Sequence, residues 1–308
     1  MWHDYTYYDS LQQYIILPKA MIIAFLLSTN SRDSGLFYYT RTLIRELAEQ
    51  GIKSFITHTV SCVCDLLHVQ HVFGYNDKAL LKRIKAVRKK GVSVFITLHS
   101  LNHVLTREQE GFIKAVGKEC DCLCVHFKYQ RAIIQKYLGK QPNIEVITYP
   151  AEAEKKKKNN RKGKTVLLCG FFRPTKGFHR VVALFPEVVK KVPDAQLLIA
   201  GAFSKGAWSI YKRDFFEAIR RSSVRNRIVL KNRLFSEKQF LNFIDAARVV
   251  VLPYESGEHA GIFHQCIARG KQMITSDLPG FIEKKHKMHY IVRNDKRLAQ
   301  TLVFCLRH

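Results

Sequence analysis

Short apolar runs alternate with amphipathic helical stretches along this chain, and the alternation occurs twice, on either side of a charged break. Residues 21–27 (MIIAFLL) are apolar throughout, as in a strand buried on both faces. A polar, Gly-containing turn follows, then a helix over 36–50 with Leu36, Tyr39, Leu43 and Leu47 at helical spacing and Gly51 as its stop. Further strands are expected at 53–57, 65–70, 92–98, 121–126 and 144–148, with helices at 78–90, 106–118 and 128–139. Strand–helix–strand repetition of this kind implies right-handed crossovers onto a parallel sheet. At 155–164 (KKKKNNRKGK) seven of ten side chains are basic and none is apolar, so the stretch reads as a solvated linker. The alternation then restarts, with strands at 165–170, 195–201, 227–230 and 248–252 and helices at 177–191, 206–222, 236–246 and 261–269. The expected fold class is therefore α/β, with two Rossmann-like domains of parallel sheet facing across a cleft. Residues 1–20 would be an N-terminal arm, 21–154 the first domain, 155–164 the linker and 165–308 the second domain. Ligands of such sheets bind at the carboxyl ends of the strands.

The 308 residues suffice for two full cores. Lys and Arg outnumber Asp and Glu by 51 to 25, a formal net charge of +26, which favours anionic partners and says nothing of fold. No run of about 18 apolar residues exists to span a membrane, and residues 1–20 lack the layout of a secretory signal. The eight cysteines are spaced as in strands rather than as a disulfide framework, so a cytoplasmic location with free thiols is expected.

Two segments carry chemistry-bearing residues. The strand TVLLCG runs into FFRPTKGFHRVV, placing Gly170, Arg173, Lys176 and Gly177 in a strand-to-helix turn, where cations beside a helix start suit a phosphate or diphosphate. A plain surface loop with two solvated cations has the same spacing. Residues 252–277 (LPYESGEHAGIFHQCIARGKQMITSD) hold Glu255, Gly257, Glu258 and His259 in a loop, then a short helix from Gly261 to Gly270. Glycine at a helix start lets a ligand reach the free N–H groups, and the dipole there favours negative charge.

In these segments the sequence resembles the GT-B-fold glycosyltransferases of group 1 (family 4), retaining enzymes that use nucleotide-sugar donors. The resemblance covers roughly residues 21–285. SGLFYYTRTLIRELAEQGI, DLLHVQHVFGYN, VSVFITLHSL and CDCLCVHFKYQRAIIQKY follow the family's order in the first half; GFFRPTKGF, RIVLKNRLFSEKQFLNFIDAARVVVLPY and EHAGIFHQCIARGKQMITSDLPGF do so in the second. It implies that Arg173 and Lys176 neutralise the donor diphosphate and that Glu258 contacts the transferred sugar. Gly261 and Ile262 would present backbone N–H groups, His99 would contact the sugar near the reacting carbon, and Gly35 would lie in the loop facing donor and acceptor. Gln265 stands where the family has a second glutamate on the nucleotide ribose, with a gap from Glu258 one residue shorter. Arg173 lies two positions after the usual arginine, whose place Phe171 takes, and most of the family's long C-terminal helix is missing.

The activity implied is metal-independent transfer of a sugar, with retention, from a nucleotide-diphosphate sugar to a hydroxyl of a glycan or lipid-linked acceptor. The nucleotide sugar is a co-substrate, and no cofactor is expected. Three rivals keep the fold: a glycosyltransferase acting on nucleic acid, which the net charge favours, a non-enzymatic nucleotide-sugar binder, and a sugar-nucleotide epimerase. Base-stacking aromatic–basic repeats are missing, which counts against nucleic acid. His68 and His71 (HVQH) lack a third donor and the context of a metal pair, and Cys120, Cys122 and Cys124 are expected on one face of a strand, packed as small hydrophobes. The 78–90 helix sets Leu80, Leu81, Ile84 and Val87 against Lys82, Arg83, Lys85, Arg88, Lys89 and Lys90. That pattern fits a packed helix with a solvated face, and also a peripheral contact with the anionic inner face of a membrane.

Overall fold

The computed structural model describes residues 21–28, 35–59, 64–73, 77–101, 104–139, 143–150, 163–203, 209–256 and 261–308. The chain divides into two compact units, Met1–Ala151 and Glu152–His308. Among the described residues, each holds one six-stranded sheet with every strand pairing parallel.

The first unit runs β1 (Ile22–Leu27), α1 (Gly35–Glu49), β2 (Lys53–Thr57), β3 (Leu66–His71), α2 (Asp77–Arg88), β4 (Ser93–Leu98), α3 (Arg107–Gly117), β5 (Cys122–Val125), α4 (Lys128–Leu138) and β6 (Asn143–Val146). Its strand order is β2-β1-β3-β4-β5-β6. Successive residues of β1 serve opposite faces, as the two-residue period of a strand requires. Ile23, Phe25 and Leu27 pack with Leu36, Tyr39, Leu43 and Leu47 of α1. Ala24 and Leu26 join the core that also takes Leu80, Ile84 and Val87 of α2 and Ile113 and Val116 of α3. Both faces are thus covered, which is why β1 has no polar positions. Gly51 closes α1 with φ +79°, and the N–H of Ile52 reaches back to the Leu47 carbonyl at 2.9 Å. This is the left-handed stop expected of a C′ glycine.

The second unit runs β7 (Thr165–Cys169), a 3-10 turn at Pro174–Lys176, α5 (Phe178–Lys191), β8 (Gln196–Gly201), α6 (Ser209–Arg221), a second 3-10 turn at Arg225–Arg227, β9 (Ile228–Asn232), α7 (Glu237–Ala246), β10 (Val249–Leu252), α8 (Gly261–Ala268), β11 (Met273–Ser276), α9 (Pro279–Glu283), β12 (His289–Val292) and α10 (Asp295–Arg307). Its order is β12-β11-β10-β7-β8-β9. Capping boxes start α3 (Thr106 with Gln109) and α7 (Ser236 with Gln239), each satisfying two backbone donors reciprocally.

Two local expectations change. Cys122 and Cys124 do share a face, with sulfurs 3.9 Å apart and packed with Ile147 and Phe95. Cys120, however, precedes β5 and packs in the core on the opposite face, beyond a bend at Asp121. The basic face of α2 is partly neutralised as well: Arg88 pairs with Asp121 at 2.7 Å and Lys85 with Glu119 at 3.8 Å. Lys82, Arg83, Lys89 and Lys90 are exposed.

Candidate functional site

The strand order of the second sheet contains a reversal. From β7 the chain moves to β8 and then β9 on one flank, and afterwards crosses to β10, β11 and β12 on the other. The connections leaving the carboxyl ends of β7 and β10 therefore run toward opposite flanks of the sheet, the place where ligands of such sheets bind. The segments containing Arg173, Lys176, Gly261 and Ile262 all follow one of these two strands.

Their packing is close and specific. Gly170 ends β7 with φ +121°, and a Cβ there would stand 3.3 Å from Cδ1 of Ile262, so the loop after β7 rests on the first turn of α8. Gly177 caps the 3-10 turn in the left-handed region (φ +63°), and a Cβ would come within 2.1 Å of the Pro253 carbonyl oxygen. Only glycine allows both that backbone and that approach. The Glu255 N–H donates to the Thr175 carbonyl at 2.9 Å, tying the two loops a second time. Between these ties Lys176 is half-buried, its Nζ 3.5 Å from the centroid of the Tyr254 ring. Arg173 is exposed, with its guanidinium 5.7 Å from the Phe171 ring. Gly261 and Ile262 open α8, where the first N–H groups have no partner within the helix. One turn on, Gln265 is buried and its Oε1 accepts no hydrogen bond. Glu258, His259 and Gly257 lie outside the described residues.

Beneath this loop system the titratable groups are held neutral. Burial pushes the Cys266 thiol up to about 12 and drives Cys169 and the Tyr254 phenol well above their usual ranges. A thiol so placed supplies no thiolate nucleophile at neutral pH.

In the first unit, His99 follows β4, and its Nε2–H donates to Gln70 Oε1 at 2.7 Å. Its backbone N–H reaches the His71 carbonyl at 2.9 Å. The ring lies edge-on to Tyr39 (4.5 Å between centroids) and 5.2 Å from His126, so His99 belongs to an aromatic cluster at the carboxyl ends of β4 and β5. Gly35 is the first residue of α1 and is exposed. His68 hydrogen-bonds Thr97 at 2.8 Å inside the sheet, and burial pulls its ring down to about 3 and that of His71 to about 4. Among the described residues no group of three or more His, Cys, Asp or Glu is placed to hold a metal ion.

Three features escaped the sequence. Tyr254 under Lys176 and Gln70 behind His99 are contacts between residues far apart in the chain, and neither residue carries a local mark. The third is the run β11, α9, β12 and α10; Asn294 followed by Leu298, Leu302, Cys305 and Leu306 was the available signal for the last helix.

Comparison with known proteins accords with this geometry. The sequence model described as glycosyl transferases group 1 matches residues 163–308. No curated protein matches the chain significantly by sequence. Among solved structures, HepE of Anabaena, in complex with UDP and glucose, aligns with a TM-score of 0.72 at 13% identity, covering 93% of this chain and 90% of that one. Sucrose-phosphate synthase from Thermosynechococcus elongatus gives 0.70 at 16% identity, covering 93% and 90%. TarM of S. aureus, in complex with Fondaparinux, alpha-GlcNAc-glycerol and UDP, gives 0.63 at 15%, covering 86% of this chain and 51% of that one. At such identities the likeness to these structures is one of fold. The chain thus has the GT-B fold of these structures, and its residues 163–308 are similar to the glycosyl transferases group 1.

Proposed function

We propose that this protein is a retaining glycosyltransferase that moves a sugar from a nucleotide-diphosphate sugar to a hydroxyl of a glycan or lipid-linked acceptor, without a metal ion. The observation that carries the proposal is the reversal of strand order between β7 and β10, with Lys176 of the one loop and the start of α8 after the other joined through the Gly170–Ile262 contact. Two cations and a helix start together match the charge of a diphosphate. As the glycosidic bond breaks, charge grows on the leaving diphosphate, so these groups bind the transition state more tightly than the ground state. In the proposed mechanism the acceptor hydroxyl enters on the face the diphosphate leaves, and positioning supplies much of the acceleration. The role of His99 rests on the resemblance alone, and so does that of Glu258. A thermal-shift panel of UDP-, GDP-, ADP- and dTDP-sugars tests the reading, because a ligand that binds the folded state raises apparent stability. Selective stabilisation by one class followed by donor consumption is expected; no response to any of the four would overturn it.

Gln265 favours a second reading, a nucleotide-sugar binder without transfer. An amide accepts a ribose hydroxyl more weakly than a carboxylate does. Binding without consumption of donor in the presence of glycan acceptors would select it. Peripheral membrane contact is proposed for the exposed cations of α2 and of the turn that follows it; among the described residues no helix is long and apolar enough to cross a membrane. Salt-sensitive co-sedimentation with acidic vesicles, lost on replacing Lys82, Arg83, Lys89 and Lys90, is the expected result.

A further inference from the structure

Lysine carries a compact charge on a flexible four-carbon stem, so a lysine that must meet one oxygen of a diphosphate needs something to hold it there. At Lys176 that something is an aromatic face. The ring of Tyr254 lies 3.5 Å from Nζ, close enough for the ring quadrupole to attract the ammonium strongly. The ring is itself immobile. Tyr254 is 2% exposed, and its ring lies 5.7 Å from that of Phe281. Its backbone is fixed on both sides: Ser276 Oγ donates to the Tyr254 carbonyl at 2.5 Å, and the neighbouring Glu255 N–H is bound to Thr175. Gly177, directly after Lys176, presses its Cα against the Pro253 carbonyl, directly before Tyr254. The two loops are thereby registered residue against residue, with lysine over tyrosine. Burial keeps the phenol protonated, so the ring offers the ammonium a neutral π-face.

We infer that Tyr254 is a positioning residue for the transfer reaction, its ring holding the Lys176 ammonium in the orientation that meets the donor diphosphate. The inference rests on the donor reading proposed above and adds to it a residue that does not itself touch the donor. A quadrupole attraction, unlike simple packing, weakens stepwise as fluorine is added to the ring while ring shape is nearly kept.

The test replaces Tyr254 in the full-length protein with Phe and then with phenylalanines of rising fluorine content, alongside Tyr254→Leu. Two quantities are followed: donor turnover (kcat and kcat/KM), and the NMR resonance of Lys176 after 13C-methylation of lysine amines, assigned with Lys176→Arg. In the unsubstituted protein the Lys176 signal should be displaced by the ring current. Tyr254→Phe should keep most of the turnover. The fluorinated series should fall progressively, to roughly tenfold below the Phe variant at full fluorination, with Tyr254→Leu at least as low. Turnover indifferent to fluorine, or an undisplaced Lys176 signal, would overturn the inference even if Tyr254→Leu fails to fold. A displaced signal in a protein that binds none of the four donor classes would preserve the contact and remove the donor reading it serves.

Discussion

Lys176 and Gly177 are adjacent and fail in different ways. Lys176→Ala leaves the backbone intact and removes transition-state charge stabilisation, so turnover should fall on the order of 10²–10³-fold with little change in melting temperature. Unchanged kinetics would remove Lys176 from the site. Gly177→Ala should act on stability first. The left-handed backbone alone costs a non-glycine residue about 1–2 kcal/mol, and the Pro253 carbonyl adds to it because a backbone oxygen at 2.1 Å cannot simply swing away. Gly91 is the control: its φ is +77°, and a Cβ there meets open space. Gly91→Ala should show the backbone cost alone, and the difference between the two unfolding free energies measures the loop contact. The placement of Arg173, Lys176, Gly261 and Ile262 was legible in the sequence because each sits within a few residues of a strand end or helix start. The contacts of Tyr254 and Gln70 were not, because they are made with partners in other strands' loops.

At the scale of elements, the least legible part of the chain ends in a helix held at both ends. The segment 284–289 (KKHKMH) reads as a charged loop and hides the entry to β12, a strand of four residues. The helix after it, α10, is held at both ends. Asn294 caps its start by accepting from the Arg297 N–H at 2.9 Å, and at its finish the Arg248 Nε donates to the Cys305 carbonyl at 2.9 Å while Lys164 Nζ donates to that of Leu306. Arg248 is buried, so the carbonyl it serves is cut off from water. Arg248→Met keeps the aliphatic stem and strands that carbonyl, a loss of about 1–3 kcal/mol. Chemical unfolding should report that loss, and hydrogen exchange should locate the weakening in the last turns of α10; a melting curve superimposable on the original would refute the capping role. By contrast α1, α3 and α7 were readable because their stop or start signals are local: Gly51, and the Thr-x-x-Gln and Ser-x-x-Gln pairs.

For the molecule as a whole, acid is the expected weakness. His68 and His71 are folded with pKa values of about 3 and 4, because burial disfavours the imidazolium, against 6.5 when unfolded. Below pH 6.5 the unfolded chain therefore binds protons that the folded one refuses. Stability is fully present above that pH and is lost as pH falls toward 4, by about 1.4 kcal/mol per pH unit for each histidine. Glu46 opposes this, since burial raises it to about 7 and its folded form keeps a proton that the unfolded one loses above pH 4.5. Glu46 is partly solvated and is one group against two, so the histidines prevail. In the second unit, burial also pulls His289 down to about 4. Melting temperatures should show no loss from pH 7.5 to 6.5 and decline from 6.5 to 5; a flat profile below 6.5 would contradict the buried, neutral state of these rings. The parallel sheets carry one more implication. Val166 pairs with Val249, so β7 and β10, whose carboxyl ends lead into the Lys176 loop and α8, are strands that leave the ribosome more than eighty residues apart. Such distant pairings are slow to form. The nascent second unit must wait with β7 lacking one neighbour until β10 has been synthesised, and the paired loops that carry Lys176 are among the later features of this protein to form.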